Sequence, residues 1–265
     1  MVVEQVVRIL KTEFLSKIMK SVLRRGGYPL ALIVAWSVSA CGGGLPFPGL
    51  TVEEVYNLGV GALEEENWGD AARAFEEVLL STGFDRMPEA RLQLADAHFG
   101  GSRYIAARTE YQRVIDRWPA DTTAVHAALG VCRSLKELSP IPQRDQTFTR
   151  QAELTCGQVA AQFAGTVIGL RASELSDEMV NRLAERDYNT GSHYLKRGLI
   201  DSALLYYEQV VELFPDSEWA PWALYRMIEA FEMIGYVRDA ETTQELLLGS
   251  YPESEPAQML ENGGQ

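Results

Sequence analysis

The chain has 265 residues, 46% hydrophobic and 23% charged, a composition that can bury a sizeable core in one or two domains and excludes disorder throughout. The formal charge is −13, and because Met1–Ala40 holds six Lys/Arg against two Asp/Glu, the remainder carries 18 basic against 35 acidic residues, or −17. A surface of that sign repels nucleic acid and anionic lipid, so neither is expected as a partner of the folded part.

Residues 1–18 precede a second methionine, Met19, whose neighbour Lys20 makes it the better start of an export signal; they are set aside as an extension from a misassigned start. Residues 19–40 read as the signal, with Lys20, Arg24 and Arg25 before fifteen uncharged residues from Gly26 to Ala40. A spanning helix wants about 20 apolar residues. Past Ala40, "CGGGLPFPG" cannot continue a helix through hydrocarbon, where backbone groups must satisfy one another. Val38-Ser39-Ala40-Cys41 is similar to the lipobox of bacterial lipoproteins, which implies a diacylglyceryl and an N-acyl group on Cys41, and Gly42 after the cysteine favours delivery to the outer membrane. Two readings compete with it: a membrane span, and a plain secretory signal cut near Ala40 with Cys41 as an ordinary thiol. Residues 41–51 would be a flexible leash, since several acyl chains anchor stably where one does not.

Beyond the leash the chain repeats. Ala71, Ala107 and Ala203 each follow a small residue by twelve positions (Gly59, Ala95, Gly191) and precede an aromatic by four (Phe75, Tyr111, Tyr207). Pro119 and Pro215 come twelve residues after two of these alanines. Two antiparallel helices cross closely only where small residues let the backbones approach, an aromatic one turn on fills the gap, and proline stops the second helix. The pattern resembles the tetratricopeptide repeat and predicts an all-α solenoid of about five helix hairpins, over residues 52–84, 88–121, 123–166, 184–217 and 221–252. The last copy keeps Gly235, Ala240 and Pro252 but has Ile228 at the small position. The third is interrupted: Gly130 to Ala152 is twenty-two residues instead of twelve, so an insertion spans 138–148. Phe84 and Ala164 stand where the pattern would end a repeat in proline. Leu175 to Leu195 reads as one long charged helix entering the fourth repeat, and 253–265 as a frayed tail with no room for a catalytic domain.

No constellation of titratable residues suggests catalysis, metal binding or a cofactor. His98 and His126 fall at positions that pack between helices, and His193 on a polar face. Cys132 and Cys156, one on each helix of the third repeat, are either a disulfide, in a compartment that permits one, or two small buried hydrophobes. Projecting the register lines the first helices with Tyr56, Val60, Leu63, Leu92, Phe99, Ala127 and Val131, then with Tyr188, Ser192, Leu195, Tyr225, Glu229 and Glu232. The first half is an apolar groove suited to an extended segment with aromatic side chains, unless the long helix or a neighbouring coil covers it; the second half is more polar and acidic.

The order of features, with "PIPQRDQTFTRQAELTCGQVAAQF" and "HYLKRGLIDSALLYYEQVVELFPDS", resembles the BamD family of outer-membrane assembly lipoproteins from Cys41 to about Pro252. The resemblance implies a non-enzymatic, lipid-anchored scaffold on the periplasmic face of the outer membrane. Its partners would be a BamA-type barrel's periplasmic domains, other assembly lipoproteins and unfolded outer-membrane proteins. It makes Arg144, Asp145 and Gln146 a docking or loop-ordering element. Arg197, before the turn glycine Gly198, is a second candidate contact. For both, a local salt bridge or helix cap is the competing role. Another repeat lipoprotein, such as a secretin pilotin or an envelope-division coordinator, would share the lipobox and groove but has less reason for the insertion.

Overall fold

A computed structural model describes residues 47–263. The export signal, the lipid site at Cys41 and most of the leash lie outside the described residues. The repeat region, Gly49 onward, is a compact unit of its own and is all-helical, as the register predicts.

Five hairpins account for most of it. The first pairs α1 (Val52–Glu64) with α2 (Trp68–Leu80), the second α3 (Met87–Gly100) with α4 (Tyr104–Arg117), the third α5 (Thr122–Leu138) with α6 (Thr147–Gln162). A 30-residue helix, α7 (Val167–Lys196), then packs along α6 and also forms the fourth hairpin with α8 (Ile200–Leu213). The fifth pairs α9 (Trp219–Met233) with α10 (Val237–Ser250), and α11 (Glu255–Gly263) follows.

The small-to-aromatic rule acts as packing geometry. A Cβ added to Gly59 would lie 2.9 Å from the Phe75 ring, and one added to Gly191 would lie 2.8 Å from the Tyr207 ring. Gly130 admits an aromatic of the preceding hairpin, since its added Cβ would be 2.6 Å from the Tyr111 ring. Phe75, Tyr111 and Tyr207 are fully buried, and replacing such a ring by alanine costs about 3–5 kcal/mol. A second register lies in the turns. Five residues before each aligned alanine the backbone is left-handed: Glu66 (φ 57°), Ser102 (φ 58°), Gly198 (φ 73°) and Gly235 (φ 77°). The last two hairpins place glycine where that conformation is free of strain, whereas the first two force a side chain into it.

The long helix begins eight residues before the expected Leu175. Thr166 caps it by accepting from Gly169 N–H at 3.1 Å, and the first half buries Ala172 beside Cys132, Cys156 and Val159. Its core allegiance changes midway: Met179 joins the cluster of Tyr111, Val131 and Leu135, and Ala184 joins that of Tyr207, Leu224 and Leu247. At that point Arg182 Nη1 donates to the Ser139 carbonyl (3.0 Å), in the third hairpin's loop, and Glu218 N–H donates to Asn181 Oδ1 (2.8 Å), at the junction of α8 and α9. The turn end of hairpin three therefore stands level with the opposite end of hairpin four. Fourteen further residues of α7 offset the last two hairpins by about 21 Å along its axis.

The expected frayed tail is instead α11. Ser254 Oγ accepts from Ala257 N–H at 3.3 Å, Ala257 is fully buried, and Leu260 packs on the same cluster, so the helix covers the apolar end that α9 and α10 would expose.

Candidate interaction surfaces

Part of the expected apolar groove is covered. Tyr56 is buried, edge-on to Phe75 (5.6 Å between centroids) and tilted on Phe84 (5.4 Å), with the Arg86 guanidinium 4.0 Å above its ring and paired to Glu53 at 3.0 Å. Phe84, out of pattern as a repeat terminator, acts as part of this lid. Ala127 and Val131 are buried with Met179 of the long helix. Val60, Leu63, Leu92 and Phe99 are half-buried, and Arg133 sits 4.3 Å over the Phe99 face while Tyr104 meets its edge at 5.4 Å. Arginines, not coil, close the ends of the groove.

The same helix, α3, carries two polar groups drawn out of water, Asp96 and His98. Tyr111 Oη donates to Asp96 Oδ1 at 2.5 Å, and burial pushes the Asp96 carboxyl above its usual range despite that bond and the nearby Arg133 and His126. His98 is buried, with Nδ1 unpartnered and its basicity lowered by burial, whereas His126 is exposed and so does not pack between helices as its register position suggested.

The insertion is ordered from within. Gln146, 1% exposed, donates through Nε2 to the Ile141 (2.8 Å) and Arg144 (3.0 Å) carbonyls, while Thr149 Oγ1 donates to Gln146 Oε1 at 2.6 Å. Asp145 accepts from Thr147 N–H (3.0 Å) at the start of α6, and the bonds from Thr147 hold its carboxyl below the ordinary value. Arg144 is exposed and forms no ion pair with Asp145. Of the three residues, Gln146 and Asp145 shape the loop, which leaves the Arg144 side chain and Ile141, 62% exposed, on its surface. Cys132 and Cys156 are buried, unbridged thiols in one core cluster, and the neighbouring Cys132 thiol together with burial raises the Cys156 thiol far above its usual range.

A further exposed apolar surface is one the register did not single out. At the α7–α8 turn, Arg197 is exposed within 3.4 Å of His193 Nε2, Leu199 follows Gly198, and Tyr194 stacks on Tyr206 at 5.5 Å and 12°. At the matching α9–α10 turn, Met233, Ile234, Tyr236 and Val237 flank Gly235, with Tyr236 57% and Val237 62% exposed. The corresponding positions of the first two hairpins, Glu64-Glu65-Glu66-Asn67-Trp68 and Gly100-Gly101-Ser102-Arg103-Tyr104, carry one aromatic each at the Val237 position, and both rings are half-buried. The sequence signal was available: the apolar residues flank glycines at a fixed offset from the aligned alanine.

Away from that edge, Tyr188 lies against Trp219 (4.9 Å) and Tyr207 (5.6 Å) and accepts from Arg226 Nε at 3.4 Å, while Arg226 pairs with Glu229 at 2.6 Å. Among the described residues no group of three or more His, Cys, Asp or Glu is placed to hold a metal ion, and no helix is long and apolar enough to cross a membrane.

Comparison with known proteins agrees with the resemblance read from the insertion and the fourth repeat. The chain is 27% identical over 228 residues to the outer membrane protein assembly factor BamD of Caulobacter vibrioides, covering 84% of this chain and 75% of that one. It is 24% identical to BamD of Rickettsia prowazekii, covering 77% and 81%. Among solved structures, a TPR repeats protein from Bacteroides fragilis aligns with a TM-score of 0.47 and 15% identity, over 80% of this chain and 97% of that one. Residues 48–247 match YfiO, a family described as outer membrane lipoprotein, and the chain belongs to that family.

Proposed function

We propose that the chain is a non-enzymatic scaffold of outer-membrane β-barrel assembly, held by lipid on Cys41 at the periplasmic face. It docks through the α7–α8 and α9–α10 turns onto the soluble domains of a BamA-type barrel. The relatives' shared description as outer membrane protein assembly factors supports the process. The observation that carries the docking surface is the exposure of Leu199 next to Arg197 at one turn and of Ile234, Tyr236 and Val237 at the other, apolar side chains with a cation, the composition of interface centres. Reception of unfolded precursors falls to the half-buried residues of the first hairpins: Val60, Leu63, Leu92 and Phe99.

A pull-down of the lipidated protein from solubilised outer membrane tests the reading. Recovery of a barrel with periplasmic repeat domains, lost with Tyr236→Ala, supports it; recovery of a secretin instead would make the chain a pilotin. For reception, a Phe99→Glu variant that bound an aromatic-ended peptide as well as wild type would refute the groove.

A further inference from the structure

We propose that Cys132 and Cys156 are a modification site: in the exported chain they form an intramolecular disulfide that ties α5 to α6 across the insertion. The two stand on the paired helices of the third hairpin, both fully buried, in one core cluster with Leu129, Val159 and Ala172. The thiols of the structure are the reduced form of that site.

The repeat gives the reason for a bond at this place. In hairpins one, two and four the residue four positions after the aligned alanine is a buried aromatic, Phe75, Tyr111 or Tyr207. In hairpin three that position, counted from Ala152, is Cys156. Its side chain is far smaller, and Gly130 on the facing helix already receives the Tyr111 ring of the preceding hairpin. Hairpin five has the exposed Gln244 there and is covered by α11 instead. Hairpin three also joins its helices through residues 139–146, where the other four hairpins turn in three residues. A longer connection holds two helices together less well, and it is here that each helix carries a cysteine. A bridge closes residues 132–156 into one loop and removes that freedom from the unfolded chain.

The inference rests on the reading of a periplasmic protein with lipid on Cys41, which takes the third cysteine of the chain out of disulfide chemistry and places the other two in an oxidising compartment. The oxidant is the disulfide of a thiol–disulfide oxidoreductase. One cysteine thiolate attacks it, forming a mixed disulfide and releasing one oxidoreductase thiolate. The second cysteine thiolate then attacks the sulfur of the first, forming the Cys132 Sγ–Cys156 Sγ bond and releasing the other. Two electrons and the two thiol protons end on the oxidoreductase, now a dithiol. The neighbouring Cys132 and burial hold the Cys156 thiol far above its usual range, so the folded reduced chain has almost no thiolate there and no path to an oxidant. The bond therefore forms before hairpin three closes.

The test is made on the lipidated protein purified from the envelope without reductant, unfolded in guanidinium, alkylated, digested and mapped by mass spectrometry. A peptide pair linked through Cys132 and Cys156, alkylated there only after reduction, is expected. Trypsin acting on the native protein at the exposed Arg144 should leave two fragments that migrate together on a denaturing gel until reduced. A reducing phosphine should lower the urea midpoint by about 1 M, and Cys132→Ala/Cys156→Ala should have one midpoint with or without it. Alkylation of both cysteines without reductant, or a wild-type midpoint indifferent to the phosphine, would overturn the proposal. Free Cys132 and Cys156 beside a lipid-bearing Cys41 would sink the bridge alone, whereas a link from Cys41 to either would overturn the pairing and the lipid reading together.

Discussion

Hairpins one to three and hairpins four and five are built by one packing rule and present different surfaces. In the first group the turns of hairpins one and two are strained at Glu66 and Ser102 and polar around them, the loop of hairpin three exposes Ile141, and part of the groove side is closed by Arg86, Arg133 and the long helix. In the second the turns are glycine-relaxed and carry exposed Leu199, Ile234, Tyr236 and Val237. The small-residue and aromatic positions keep each hairpin closed, and everything outside them is free to vary. A repeat protein therefore assigns partners by what decorates its turns and edges. Here α7 serves both groups, changing core between Met179 and Ala184.

The largest effect expected is a separation of the two groups. Tyr207→Ala should cost about 3–5 kcal/mol and, in hydrogen exchange, deprotect α8 to α11 well before α1 to α6, with Tyr111→Ala doing the reverse. Uniform loss of protection in both variants would mean that α7 couples the groups into one cooperative unit. Next, Tyr236→Ala and Arg197→Ala should each weaken barrel-domain capture at least about fivefold while moving stability by no more than about 0.5 kcal/mol.

Gln146→Ala should cost about 1–3 kcal/mol, because the carbonyls of Ile141 and Arg144 and the hydroxyl of Thr149 lose their buried partner. Urea melts with loop proteolysis would check this. Glu66→Gly and Ser102→Gly should each stabilise by about 1 kcal/mol, and Gly198→Ala and Gly235→Ala destabilise by a similar amount, sharpening the contrast between turns.

The smallest is a pH effect at Asp96. Its carboxyl is raised by burial, so the folded chain holds the proton more tightly than the unfolded one, and the group's stabilising contribution falls as pH rises from the ordinary carboxylate range through its folded value. Asp96→Asn should accordingly gain stability relative to wild type at pH 7, and the gain should vanish toward about pH 4. Thermal melts at the two values measure it.

The hairpins and their aligned alanines were legible in the sequence because close helix crossing tolerates few residue types. The first half of α7 was not, since Gly165 and Gly169 suggest a loop; Gly165 instead takes the left-handed turn (φ 77°) that lets Thr166 cap the helix. Nor was α11, a short segment whose fully buried residues are Pro256 and Ala257 and whose helicity comes from packing, not periodicity. The groove was over-read for a related reason: register places Tyr56 and Phe99 on a face, but only the structure places Arg86 and Arg133 above them. The exposed turns were under-read because a hydrophobe beside glycine outside a helix carries no period, and recurrence at a fixed offset is the signal that would have found them.

The central claim is that the chain docks through the turns of hairpins four and five. Site-specific photo-crosslinking in living cells addresses it most directly, with the photoreactive residue placed at Tyr236 or at Glu66, the first hairpin's counterpart turn. The account predicts an adduct with the barrel's periplasmic domains from position 236 and none from position 66. An adduct from 66 with none from 236 would contradict it and transfer the docking surface to the other end of the repeat region.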